Sequence, residues 1–333
     1  MTSSTTTRPL GTAVHADTPA RVEQRAWSIF RVRPVRVATL SPHLVRVSFG
    51  TDPHPPAGSA TLREFADNGY DQRIKLILPP AGGDLNGLSG GADWYRRLRG
   101  MPEATRPVVR TYTVRAVRSA GTEDAQVDVD LVLHGVAGPA SAWASRLLAD
   151  GARLPAFQAA LLGPDARFVG WHGGLEFVTD VTDDLLIVGD ETAMPAIAGI
   201  LERLPKRATG TVLIEVPEPG DRLDLAAPDG MRIDWLPRNG VANGAMMTAA
   251  ALGWRPGDGD PQRGLVAEVS DPDGWDELAW EVPSPEGGDG IRAWVAGEAS
   301  AVRTIRRHLV GPCGLDREHV AFMGYWRLGR AEE

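Results

Sequence analysis

The chain of 333 residues contains one cysteine, Cys313. A single thiol cannot close an internal disulfide, which fits a reducing compartment, and it cannot supply the several thiolates that hold an iron-sulfur cluster. Basic charge is also short: 35 Lys and Arg against 43 Asp and Glu leave a net charge of -8. A duplex-binding surface needs a basic face, so no nucleic-acid partner is expected. No apolar core follows a basic start as in a secretory signal, and no apolar run is long enough to span a bilayer. These absences together point to a cytoplasmic protein without membrane insertion. The seven histidines are scattered with no ligand-like pair, so no protein-held metal is expected. The Gly-x-Gly-x-x-Gly fingerprint of a Rossmann dinucleotide site is missing as well.

What is present divides the chain. The length exceeds one average domain, and a hydrophobic content of 43% supports an ample core. Residues 1–24, rich in Thr and Ser, read as a disordered tail. Residues 25–170 read as half-buried strands separated by Pro and Gly loops, which predicts a small antiparallel barrel. Val35 and Val37, then Val45, Val47 and Phe49, alternate with polar residues around Ser41-Pro42 as in a hairpin. Ile74, Leu76 and Leu78 alternate in the same way, as do Val127, Val129, Leu131 and Leu133. The tract from Gly82 to Asp93 holds five glycines. It lacks the Lys-Ser/Thr ending of a phosphate loop and reads as a flexible barrel loop.

From residue 171 to 333 the pattern becomes that of a doubly wound α/β domain. Leu185 to Val188 is a short continuous apolar run, as in a strand buried on both faces of a parallel sheet. It ends in Gly189-Asp190-Glu191-Thr192, after which Met194, Ile197, Ala198, Leu201 and Leu204 recur at helical spacing, with Thr192 placed to cap the helix. Val212–Val216, Met231–Leu236 and Ile291–Val295 read as further strands, and Val302, Ile305 and Leu309 as a helix stripe. Residues 254–290 are loop-rich and read as a connection. Ligands of such folds lie at the carboxyl ends of the strands.

Two stretches carry chemistry. Arg110-Thr111-Tyr112-Thr113 puts a guanidinium, a ring and a hydroxyl within four positions. Arginine's planar fork suits phosphate, and a tyrosine offers a stacking surface. His134-Gly135 and Gly138-Pro139-Ala140-Ser141-Ala142-Trp143 then lead into a helix whose first amides attract negative charge. A ligand with a flat ring and a pyrophosphate would use both. An ordinary strand and a capped surface helix would carry the same spacing.

The Arg-x-Tyr-Thr motif resembles that of the ferredoxin reductase superfamily. Its continuation through His134-Gly135, Gly138 to Ala144, Val188 to Ala196, Ala296 to Ala299 and Gly324-Tyr325-Trp326-Arg327 is similar to one branch, the siderophore-interacting proteins. The resemblance implies an antiparallel FAD-binding barrel followed by a parallel-sheet NAD(P)H-binding domain. It implies FAD as cofactor, NADPH or NADH as donor, and a ferric siderophore as small-molecule substrate, reduced so that Fe(II) is released. Arg110, Tyr112, Thr113, His134, Gly138, Ala140, Ser141 and Trp143 would then serve FAD, while Asp190, Glu191, Thr192, Arg238, Gly297 and Glu298 would serve the nicotinamide nucleotide.

For the substrate, the resemblance points to Lys75, one of two lysines, with Arg115. Relatives often carry a basic residue after a Gly-Pro pair. Here Gly163-Pro164 is followed by Asp165, so Arg167 is the substitute candidate. Glu215 could meet ribose hydroxyls and Arg238 a 2′-phosphate, which leaves NADH and NADPH both open. Tyr325-Trp326-Arg327 could cover a ring edge or tether the last strand. A reductase for a protein acceptor, and a siderophore or flavin binder without turnover, are the competing functions. The residues fix no oligomeric state, and a monomer accommodates them.

Overall fold

A computed structural model describes residues 25–56, 59–88, 90–91, 93–133, 138–177, 182–255, 280–281 and 292–329. The expected tail, His134-Gly135 and most of the loop-rich 254–290 tract lie outside them.

The first sheet contains β1 (Trp27–Ser41), β2 (Leu44–Thr51), β3 (Arg73–Leu78), β4 (Val108–Thr113), β5 (Ala116–Arg118), β6 (Gln126–Val132) and β7 (Ala159–Pro164). The strands lie in the order β4-β3-β7-β1-β2-β6-β5, and every pairing is antiparallel. The two outermost strands are halves of one segment, separated only by Val114 and Arg115. That segment donates from Val114 to the Gln72 carbonyl at 2.8 Å and from Arg115 to the Asp128 carbonyl at 2.8 Å. The sheet therefore curls toward closure, which protects strand edges that would otherwise pair with other chains. Phe30, Val45, Val47, Phe49, Ile74, Leu76, Val127, Val129 and Leu131 fill its interior.

The hairpin pattern around Ser41-Pro42 is present, with two irregularities, one of them between Thr39 and Ser41. The register shifts between Pro34 and Arg36, and Val35 is 39% exposed. Proline has no N–H for the ladder, so the strand bulges there and turns Val35 outward. Within the glycine-rich tract two leucines are anchored, while the described residues around them are mostly exposed. Leu85 and Leu88 join Ile77, Ala160 and Leu98 of α1 (Trp94–Gly100) in a second apolar cluster.

The second sheet contains β8 (Leu185–Gly189), β9 (Thr209–Val216), β10 (Gly230–Pro237), β11 (Trp280–Glu281), β12 (Ala293–Glu298) and β13 (Val320–Trp326), in the order β10-β9-β8-β12-β13-β11. All pairs are parallel except β11 with β13. Leu185 and Ile187 face α3 (Met194–Arg203), while Leu186 and Val188 face α4 (Ala245–Gly253) and α5 (Ala299–Val310). This two-sided burial explains the unbroken apolar run. Among the described residues no helix is long and apolar enough to cross a membrane.

Thr192 does not cap α3; that position belongs to Ala193. The Thr192 amide and hydroxyl both turn back to the Asp190 carboxylate, at 2.9 and 2.5 Å, and a group so engaged cannot serve a helix end.

Candidate functional site

The topology reverses between β8 and β12, and the turn after β8 points from that switch toward the first sheet. Leu44 and Val132 of the first sheet share an apolar cluster with Ile187, Ile197, Trp294 and Met323. Polar ties reinforce the contact. Arg115 is 2.6 Å from Glu202 of α3, Arg203 is 3.1 Å from Asp67, and His43 is 2.8 Å from Asp221. His43, Glu218 and Asp221 hold their ligand atoms within 4.8 Å of one another. Asp221 also accepts from Ser41 Oγ at 2.7 Å, so this cluster joins the β1–β2 turn to the residues following β9.

Between the sheets lies a cavity of about 320 Å³ lined by Arg73, Lys75, Thr111, Tyr112, Thr113, Asp130, Thr192, Pro195, Trp280, Gly324 and Tyr325. Its floor is built by strand pairing. Lys75 lies opposite Thr111 and Arg73 opposite Thr113, and Lys75 Nζ donates to Thr111 Oγ1 at 2.7 Å. Tyr112 lies opposite Ile74 and Arg110 opposite Leu76, so Arg110 and Tyr112 share a strand face, as two-residue periodicity requires. The Arg110 guanidinium donates to the adjacent Val109 carbonyl at 2.8 Å.

The opposite wall belongs to the second sheet. The Tyr325 ring stacks on Trp280 with centroids 6.1 Å apart and meets Trp294 edge-on. The Arg73 guanidinium lies 4.3 Å from the Trp280 centroid and pairs with Glu176. Below them Asp71 is fully buried, accepting from the Phe177 amide and Trp294 Nε1, each at 3.0 Å. Burial, with the charge of Glu176 nearby, pushes its carboxyl up to about 6. The Tyr325 hydroxyl is buried and has no hydrogen-bond partner among the described residues. Its burial raises its pKa well above the usual value, with Asp71 and Glu176 adding to the effect.

Of the sequence-predicted residues, Lys75, Tyr112, Thr113 and Thr192 line this cavity. His134 lies outside the described residues, and most of the others take structural partners. Gly138 is the N-cap of α2 (Pro139–Ala149), with Ala140 and Ser141 in its first turn. The Ser141 hydroxyl donates to the Val132 carbonyl at 3.1 Å, which joins the helix to the end of β6. Trp143 is 2% exposed, and its ring lies 6.1 Å from that of Phe49 in the barrel core. Arg115 pairs with Glu202 and lies 4.0 Å from Asp130. Arg167 pairs with Asp165 at 2.6 Å and Glu64 at 3.2 Å. The basic side chain three positions after Pro164 is thus held against the acid that immediately follows the proline.

The acidic turn is also internally satisfied. Arg238 reaches Glu191 at 2.6 Å and Glu215 at 3.1 Å. Burial opposes its charge, but the two carboxylates outweigh that and raise its pKa. Glu215 further accepts from the amides of Gly244, Met246 and Met247 at 2.7 to 2.9 Å. The residues considered for the ribose and the 2′-phosphate are thus bonded to each other. Glu298 caps α5 through the Ser300 and Ala301 amides. Gly297 has φ +147, and a Cβ there would lie 2.6 Å from Asp190 Oδ2.

Sequence reasoning did not assign Arg73, Thr111, Asp130, Pro195 and Trp280 to a site. Arg73 stands two residues before Lys75, and strand alternation alone would have put both on one face. Trp280 falls in Leu278-Ala279-Trp280-Glu281-Val282, a short alternation of large apolar residues inside a tract read as a connection, so a strand signal was present there.

Comparison with known proteins fits this geometry. The sequence profile of the siderophore-interacting FAD-binding domain matches residues 33–165, and that of the siderophore-interacting protein matches residues 182–329. An uncharacterized protein of Mycobacterium tuberculosis is 34% identical over 298 residues, covering 88% of each chain. The chain belongs to the siderophore-interacting protein family. Another member-like relative, the ferric vibriobactin reductase ViuB of Vibrio cholerae, is 29% identical over 228 residues, 68% of each chain. In fold the chain is similar to the siderophore-interacting protein SipS from Aeromonas hydrophila, with TM-score 0.59, 24% identity and coverage of 91% and 93%. A siderophore utilization protein from T. fusca matches with TM-score 0.60 and 23% identity, covering 93% of this chain and 96% of that one.

Proposed function

We propose that this protein reduces siderophore-bound Fe(III) with electrons from NADPH or NADH, using FAD held by the first sheet. The observation that carries the reading is that the Arg110–Thr113 stretch and the turn after β8 meet at one cavity: Thr111 to Thr113 on one side, Thr192 and Pro195 on the other. The residues fit a flavin dinucleotide. Tyr112 supplies an aromatic surface, Thr113 a hydroxyl, Arg110 a guanidinium for the pyrophosphate, and the start of α2 backbone amides for the same charge. The buried Tyr325 hydroxyl supplies a polar atom that still has bonding capacity. The cofactor's contribution when bound is to divide a two-electron hydride into single-electron steps.

The chain's own residues then align and shield. The turn after β8 presents the nucleotide at the switch point, and Tyr325 and Trp280 exclude water from the cavity wall. Lys75 draws an anionic ferric chelate to the open side. Reduction lowers the metal's charge, weakens its bonds to hard oxygen ligands and releases Fe(II). The test is FAD-dependent Fe(II) capture by a ferrous-specific chelator when a nicotinamide and a ferric siderophore are both supplied. A protein that retains FAD and yields no Fe(II) with either nicotinamide would contradict the reading.

Lys75→Ala should raise the apparent KM for anionic ferric chelates by about tenfold to a hundredfold, the range of one lost charge-assisted contact. Flavin content should stay at the wild-type level, because the lysine reaches Thr111 from the cavity side. Kinetics equal to wild type across chelates of different charge would remove Lys75 from docking.

A further inference from the structure

The resemblance assigns Asp190 to the nucleotide, but the structure gives its carboxylate four donors from this chain. Oδ1 accepts from the Thr192 amide at 2.9 Å and the Thr192 hydroxyl at 2.5 Å. Oδ2 accepts from the Glu298 amide at 2.9 Å and Trp326 Nε1 at 2.8 Å. A carboxylate has about four lone-pair sites, and Asp190 is 1% exposed, so its acceptor capacity is spent.

The donors come from three places: the turn after β8, the end of β12 and the end of β13. Glu298, supplying one of them, also accepts from the Leu328 amide at 3.3 Å. The chain that follows Tyr325 is therefore fastened on either side of Arg327, through Trp326 and Leu328. Gly324 and Tyr325 line the cavity, and Trp326 is the next residue.

We propose that Asp190 is a positioning residue that fixes the Tyr325 wall of the cavity through Trp326, and that it is not a nucleotide ligand. Its burial and the neighbouring Glu191 charge raise its pKa to about 7, which agrees with a carboxyl held for its bonds and shut away from water. Asp190→Asn keeps one oxygen for at most two of the four donors and removes the charge that strengthens those bonds, so the hold on Trp326 weakens in either amide orientation. Trp326→Phe removes the same bond from the other end and leaves the carboxylate in place.

The kinetic arm of the test rests on the ferric-reductase reading, and the spectroscopic arm does not. In protein labelled with 5-fluorotryptophan and free of cofactor, the resonance absent from Trp326→Phe is that of Trp326. Asp190→Asn should shift it more than any other tryptophan resonance. In the loaded enzyme, each single variant should lower kcat about threefold to tenfold, as loss of one hydrogen bond would. The double variant should be no slower than the singles, and KM for the nicotinamide should stay within about twofold. An unmoved Trp326 resonance would overturn the proposal. So would effects that multiply, or a tenfold rise in nicotinamide KM confined to Asp190→Asn. If Asp190→Asn does not fold, Trp326→Phe decides alone, since an unchanged kcat there contradicts the positioning role. If no ferric chelate is reduced, the fluorine shift decides.

Discussion

Arg110→Ala should purify with a small fraction of the wild-type FAD and bind added FAD about tenfold to a hundredfold more weakly. An arginine-phosphate contact is charge-assisted and geometrically paired, with a strength of about 1.5 to 3 kcal/mol. Arg110 sits on β4, two residues before the tyrosine that lines the cavity, and its guanidinium donates to the neighbouring Val109 carbonyl. Removing it should leave the barrel intact, because its cross-strand neighbour Leu76 is buried independently in the core. Arg110→Lys should recover part of the affinity, since a lysine keeps the charge and loses the fork. A variant that holds FAD as tightly as wild type would remove Arg110 from the cofactor site.

Arg238→Ala should cost about 3 to 5 kcal/mol of folding stability, measured by denaturant unfolding of cofactor-free protein. The side chain is 9% exposed, between Glu191 at 3% and Glu215 at 0%. Its loss leaves two buried carboxylates facing each other without their cation, and breaking a buried pair from one side is far costlier than replacing the whole of it. A stabilising partner of this kind also explains how an acidic Asp-Glu turn can stand at the switch point between β8 and β12. One acid is neutralised by Arg238, and the other is enclosed by four donors. A loss below about 1 kcal/mol, together with weaker nucleotide binding, would instead make Arg238 a ligand of the nucleotide phosphate.

Much of the architecture was legible because burial writes itself into residue order. The alternation through Ile74, Leu76 and Leu78 marked a half-buried strand, and the run from Leu185 to Val188 marked one buried on both faces. Bulges and packed loops were less visible. Pro34 moves Val35 outward by a local backbone effect, and Leu85 and Leu88 are anchored by α1, which no strand pattern announced. At the candidate site, Lys75, Tyr112, Thr113 and Thr192 meet in space although they span more than a hundred residues. What spacing could not show was which charged groups are already occupied. Arg115 pairs with Glu202 across the two sheets, Arg167 with Asp165 and Glu64 within the first, and Glu191 with Arg238 within the second, contacts that only the folded chain brings together.

The measurement that bears most directly on the central claim is an anaerobic titration of the FAD-loaded protein. One equivalent of NADPH or NADH should bleach the flavin absorbance, and a ferric siderophore added next should restore it with two Fe(II) captured per hydride donor consumed. A flavin that bleaches and returns only with a protein acceptor, or one that neither nicotinamide reduces, would contradict the account.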